Sequence, residues 1–270
     1  MRKGEPVRIF ECFTIFCSYY IAVTILLIIT NLFYGFFHPL FFQWATDMTS
    51  ISFHQKILPE KAEFYKRPPN WPDKVIGLTG GIASGKSTVG RMLSGHNFPV
   101  IDTDMLAKEV TVPGEPALAE LVKTFGKGIL DDNKVLDRNR LLNIILDDAS
   151  ARQLVERIIH PYVFKRMDGM LQHLAASGNN IVIVEVPLVF EAGWQKLFDY
   201  IVAVLAPEPL CIERLVRRKR ISHDTASQWI ATQISQEVKA GKSDYVVQNY
   251  AGLNELQIQV NRLSEILKHL

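Results

Sequence analysis

Short apolar runs recur along the chain from residue 74 onward, separated by longer stretches with helical spacing. Val75-Ile76-Gly77-Leu78-Thr79 is the first run, followed by a glycine-rich turn and a helix from about Lys86. Phe98–Ile101, Ile181–Val186 and Tyr200–Leu205 repeat the pattern, and Tyr245–Val247 is a fifth candidate. These runs are apolar throughout rather than alternating, as expected of strands covered on both faces. Helical patterns fill the intervals at Ala117–Phe125, Arg138–Leu146, Ala151–Leu174, Pro209–Lys219 and Asn254–Leu270. Strands alternating with helices predict an α/β fold, a parallel sheet flanked by helices.

The first 72 residues have a different character. No acidic or basic residue (Asp, Glu, Lys or Arg) lies between Glu11 and Asp47, and Ile, Leu, Phe, Tyr and Val dominate from Ile15 to Phe42. About 20 apolar residues suffice to span a bilayer as a helix. Residues 13–42 therefore predict an N-terminal apolar helix and membrane association through it. Tyr19, Tyr20, Tyr34 and Trp44 suit the interfacial belt of such a span. The apolar stretch is longer than the core of a cleavable signal peptide, and Glu5 and Glu11 do not suit a mitochondrial presequence. A second reading stays open, in which residues 1–49 are translated from a start codon upstream of the native one. Arg2, Lys3 and Arg8 would hold the N-terminus in the cytoplasm. A single span would then place the rest of the chain across the membrane from ATP, which favours the second reading or a re-entrant hairpin. Residues 50–72 end in Arg67-Pro68-Pro69-Asn70-Trp71-Pro72 and predict an extended linker, since proline denies the backbone ladder and helix bonds.

Charge and cysteine content narrow the classes. The formal net charge is +2, and beyond residue 72 the chain carries 23 basic and 23 acidic residues. Nucleic acid is not the expected partner of so neutral a domain. Three cysteines, Cys12, Cys17 and Cys211, form neither a disulfide framework nor a zinc pattern.

The chemistry sits first at Gly80-Gly81-Ile82-Ala83-Ser84-Gly85-Lys86-Ser87, a complete match to the phosphate-binding loop of P-loop nucleotide hydrolases and kinases. Glycines let backbone N–H groups close around phosphate oxygens, and the following helix turns its positive end toward the same anion. Lys86 is expected to reach the β- and γ-phosphates, and the Ser87 hydroxyl to enter a Mg²⁺ shell. The acids Asp102 and Asp104 follow the second strand, at the carboxyl end where such sheets bind ligands. One is expected to accept a hydroxyl proton while the other holds Mg²⁺ or its waters. Asp102 equally suits the cap of a helix starting near Thr103. Glu185 ends the third apolar run and is a further candidate for Mg²⁺ waters. Arg214, Arg217, Arg218, Lys219 and Arg220 crowd a helix end, as a basic lid or as cations favoured by the helix dipole.

The residues from about Lys74 to the C-terminus resemble the dephospho-CoA kinase family. The resemblance rests on the loop from Gly77 through Thr88, on Asp102-Thr103-Asp104 with Ala107, and on Ile159-His160-Pro161. It extends through Val186-Pro187-Leu188-Val189-Phe190-Glu191, Arg214-Leu215 with Arg218, then Gln233, Lys239, and Asp244-Tyr245-Val246-Val247 with Asn249. It implies a kinase domain over residues 73–270 with a helical lid and a helical substrate-binding region. It implies transfer from ATP, with Mg²⁺, to the ribose 3′-hydroxyl of dephospho-CoA. Asp104, Lys86 and Arg218 would be catalytic, and Gly80, Gly81, Ala83, Ser84, Gly85, Lys86, Ser87 and Thr88 would hold ATP. Ser87, Asp102 and Glu185 would serve the metal, and Asp104, His160, Pro187 and Phe190 the acceptor. The kinase domain would be cytoplasmic.

Two positions depart from the family. Trp229 stands where arginine is common in the lid helix, and Arg220 where glycine is common. A kinase for a nucleoside or sugar acid, and a tethered nucleotide-binding protein without catalysis, are the competing readings. A guanine-reading switch fails, because Asn133-Lys134 is followed by Val135 and Leu136.

Overall fold

The computed structural model describes residues 65–270. The apolar run at residues 13–42 lies outside them, as does most of the stretch read as linker. Among the described residues no helix is long and apolar enough to cross a membrane.

The predicted strands form, with shifted ends, as β1 (Lys74–Gly80), β2 (Val100–Asp102), β3 (Ile181–Glu185), β4 (Tyr200–Leu205) and β5 (Tyr245–Gln248). They make one parallel sheet in the order β2-β3-β1-β4-β5. Between β1 and β2 runs α1 (Lys86–Gly95), and β2 leads directly into α2 (Thr103–Glu109). Three more helices follow α2 before β3: α3 (Pro116–Phe125), α4 (Arg138–Asp147) and the long α5 (Ala149–Ala176). After β4 come α6 (Glu208–Lys219), α7 (His223–Ala231) and α8 (Gln236–Gly241), and α9 (Leu253–Lys268) closes the chain. The sequence pattern left α7 and α8 unmarked; their faces are mostly polar and their apolar spacing is short.

Side chains alternate across the sheet and split the core in two. Val75, Val182, Val184 and Ile201 face Val163, Met167 and Leu171 of α5. Ile76, Leu78, Ile183, Val202 and Val204 face Val89 and Leu93 of α1 and Leu256, Val260 and Leu263 of α9. A third cluster joins α3, α4 and the start of α5 through Leu121, Leu141 and Val155, outside the sheet. A fourth joins α6 and α7 through Ile212, Leu215 and Ala226, with Trp229 packed against it beside Ile82 and Ala83. The basic helix end therefore lies on an element packed against the phosphate loop.

The last residues of the stretch read as linker pack onto the domain. Trp71 is buried and donates from Nε1 to Asp168 Oδ1 at 2.7 Å. Arg67 pairs with Asp199 and donates to Pro72 O at 2.7 Å. Tyr65 stacks against Phe164 and Trp194 at 4.8 and 5.4 Å between ring centroids.

Candidate active site

β1 is the centre of the sheet, with β3 on one side and β4 on the other. The connection after β1 runs to one side of the sheet and that after β4 to the other, so the crevice beyond the carboxyl end of β1 is the expected ligand site of an open parallel sheet. The phosphate loop occupies that position. Gly85 has φ +105° and stands at the N-cap of α1; a Cβ there would lie 2.2 Å from Asn249 Nδ2. Only glycine fits both demands. The same Asn249 Nδ2 donates to Ser84 O at 2.8 Å, so the loop after β5 clamps the loop after β1. Lys86 Nζ donates to Gly80 O at 3.1 Å and Gly81 O at 3.4 Å, lying along its own loop. Ser84 is fully buried, and its Oγ has no partner among the described residues.

The acids gather beside this loop. Glu185 is buried at the end of β3 and accepts from Ser87 Oγ at 3.1 Å. Thr103 Oγ1 donates to Glu185 O at 2.8 Å, tying the end of β2 to the end of β3. Asp102 caps α2, its Oδ1 accepting from Asp104 N at 2.8 Å and Met105 N at 3.3 Å. Gly90, which the sequence did not single out, leaves room for Glu185: a Cβ there would lie 2.0 Å from Glu185 Oε1.

A cleft of about 550 Å³ opens over these groups. Its lining includes Ala83, Gly85, Lys86, Ser87, Thr88, Asp104, Pro187, Arg214, Arg218, Gln233 and Asn249. Burial pushes the Asp104 carboxyl up, opposed mainly by the Lys86 ammonium. Burial pulls Lys86 down, opposed mainly by Asp104. Glu185 is also raised by burial, against the hydrogen bond from Ser87. Arg214 reaches across from α6 and donates to Ala83 O at 3.3 Å.

Lys86, Asp104 and Arg218, expected to be catalytic, thus share one cleft with Ser87, Thr88 and Pro187. His160 and Phe190 are not among its lining residues. The His160 ring packs 5.4 Å from Trp194 between centroids, and Phe190 lies against the same core with Lys242 over its face at 5.8 Å. A larger cavity of about 800 Å³ flanks the edge strand β2, lined by Val100, Ile101, Met170 and Leu174 among others. It contains none of the expected site residues.

The donors fit Mg²⁺ brought in by a nucleotide. Hard oxygens are present, the Ser87 hydroxyl beside the Glu185 and Asp104 carboxylates and the uncapped oxygen of Asp102. Among the described residues no group of three or more His, Cys, Asp or Glu is able to hold a metal alone. Phosphate oxygens and water would complete the shell.

Comparison with known proteins agrees with this geometry. A family profile described as dephospho-CoA kinase matches residues 74–255. The dephospho-CoA kinase of Anaeromyxobacter dehalogenans is 40% identical over 190 residues, 70% of this chain and 90% of that protein. That of Bacillus licheniformis is 36% identical over 189 residues, 70% of this chain and 94% of its own length. Among solved structures, the dephospho-CoA kinase of Campylobacter jejuni superposes with a TM-score of 0.53 at 25% identity, covering 72% of this chain and 98% of its own. A Thermus thermophilus crystal structure superposes with a TM-score of 0.62 at 29% identity, covering 76% and 99%. With a phosphate loop, an acid and two arginines around one cleft, and with this match to the family profile and its relatives, this chain belongs to the dephospho-CoA kinase family.

Proposed function

We propose that the chain phosphorylates the ribose 3′-hydroxyl of dephospho-CoA with ATP, giving coenzyme A, by means of Asp104, Lys86 and Arg218. The observation that carries these roles is the shared lining of one cleft by the Asp104 carboxylate, the Lys86 ammonium and the Arg218 guanidinium. Phosphoryl transfer asks little covalent chemistry of the protein; positioning and stabilisation of charge do most of the work. The backbone from Gly80 to Thr88 and the start of α1 cradle the phosphates. Lys86 leaves its loop carbonyls for the β- and γ-phosphate oxygens. Asp104 accepts the proton of the attacking hydroxyl, a task suited to a carboxyl whose affinity for protons burial has raised. Arg218 balances charge that spreads onto the transferred group. Ser87, Glu185 and Asp102 would hold Mg²⁺ directly or through water, and the ion would supply neutralisation of the phosphate charge. Pro187 lines the cleft, and the family resemblance supports its contact with the acceptor. For His160 and Phe190 the support is the family resemblance, and their place in the aromatic packing suits shaping the acceptor region from behind.

The test combines ATP, Mg²⁺ and dephospho-CoA with the purified protein, following ADP release and product mass. Coenzyme A is the expected product. Asp104→Asn is expected to keep ATP binding and to lose about 10²–10⁴-fold in kcat; a variant with unchanged turnover removes Asp104 as the base. A nucleoside or sugar acid phosphorylated in preference would point to the competing kinase reading.

The run at residues 13–42 supports, by its length and lack of charge, an added role as membrane anchor. Full-length protein that pellets with membranes through a carbonate wash is the outcome this reading expects. Recovery in the supernatant ends it.

A further inference from the structure

Lys239 is fully buried, the largest side chain in the domain to be so. Burying an ammonium is costly unless it is paired and hydrogen-bonded, so the position is informative. Its bonds do not stay within α8. Nζ donates to Pro187 O at 2.8 Å and meets Glu191 Oε1 at 3.1 Å. Glu191 Oε1 also accepts from Ile234 N at 3.2 Å. The neighbouring Gln233 accepts on Oε1 from Ile82 N at 3.1 Å. The contacts run without a break from the loop after β3, through the α7–α8 connector, to the third residue of the phosphate loop. Both ends of this path, Pro187 and Ile82, line the cleft, and so does Gln233. Lys239 and Glu191 do not, so they have no direct hold on a substrate there.

We infer that Lys239 and Glu191 are positioning residues for phosphoryl transfer, tying the Pro187 wall of the cleft to the backbone of the phosphate loop at Ile82. The acceptor side and the phosphate side belong to different strands, β3 and β1, and reaction needs them in fixed register. Side-chain packing alone leaves that register to weak, nondirectional forces. A buried ammonium that bonds a carbonyl and a carboxylate on the same loop fixes it by direction. Thr79 Oγ1 reaches the same Pro187 O at 3.3 Å, a second link between the two strands at this point. Arg152 of α5 donates to Thr232 O at 3.3 Å and braces the connector from the side of the helical region.

This inference rests on the kinase reading above, and the test keeps the two apart. Wild-type protein must form coenzyme A under the assay; if it does not, the kinase reading itself falls and the inference with it. The double variant Lys239→Met/Glu191→Met removes both charges while keeping side-chain length. Removing both partners of a buried pair is often neutral or favourable for folding, unlike removing one. The expected result is a melting temperature close to wild type and kcat lower by about a hundredfold, the scale of loss from a displacement of about 1 Å at a reacting centre. KM for ATP is expected to stay within about threefold, since the phosphate cradle itself is untouched. A folded double variant with wild-type kcat overturns the inference, because a merely structural pair predicts that result. If the double variant does not fold, Gln233→Met carries the test. It cuts the link to Ile82 at a residue that also lines the cleft, so KM for both substrates is read beside kcat. The kcat is expected to fall about tenfold at unchanged KM and melting temperature, the rate equivalent of one hydrogen bond. Unchanged kcat in that variant overturns the inference equally.

Discussion

Arg220 closes α6 with φ +55° and ψ +42°, in the left-handed region, and its N–H bonds Val216 O at 2.8 Å. Residues with a Cβ resist this conformation, and glycine accepts it freely. The departure from the family at this position is therefore a backbone question as much as one of charge. Arg220→Gly is expected to raise stability by about 1 kcal/mol, read as an increase in the denaturant midpoint at unchanged slope. An unchanged or lower midpoint would show that the guanidinium contributes more than the backbone costs. Trp229, the other departure, packs against the same apolar cluster as Ile82 and Ala83 and has a buried Nε1 without a partner among the described residues. At this scale the sequence marked the candidate groups and hid what holds them. Lys86, Ser87 and Asp104 were readable from local spacing. Gly90 was not, because the reason for it, Glu185, lies 95 positions away in the chain. Gln233, Lys239 and Asn249 were marked by resemblance alone, with no role, since each acts through a partner remote in sequence.

Among the elements, β2 and α2 meet at Asp102, which both readings of the sequence claimed. The structure shows the cap directly, with Oδ1 taken by two backbone N–H groups. The other oxygen is left to the proposed Mg²⁺ role, so the two functions are separable by substitution. Asparagine caps as well as aspartate, whereas alanine does not. Asp102→Asn is expected to keep the thermal midpoint while raising the Mg²⁺ concentration needed for half-maximal rate. Asp102→Ala is expected to lose about 1 kcal/mol of stability as well. If Asn and wild type share one Mg²⁺ dependence, Asp102 is a cap and nothing more. Strands were the most legible elements, because burial on both faces leaves each as a continuous apolar run. α5 was legible as a helix even across Pro161, which sits inside it. α7 and α8 were not, because both are short and mostly polar, and polar residues such as Gln233 and Ser235 anchor them.

For the molecule as a whole, the domain begins before its family match. Residue 74 opens both β1 and the matched segment, yet Trp71 is buried against α5, and Arg67 and Tyr65 are held as well. A protein spanning 65–270 is expected to be more stable than one spanning 74–270 by about 3–5 kcal/mol, the usual cost of losing a buried tryptophan. Equal denaturant midpoints for the two would make the contacts incidental. The α/β class, the parallel sheet and the kinase family were all visible beforehand, from strand burial and motif order. Strand order was not, because it depends on which crossover each helix makes rather than on any residue type.

The clamp on the phosphate loop has a consequence for how the chain comes to be active. Ser84 is held by Asn249, 165 positions later, just beyond the edge strand. During synthesis the phosphate loop leaves the ribosome 165 residues ahead of the asparagine that closes it. A nascent chain therefore carries its motif long before it owns a finished nucleotide pocket.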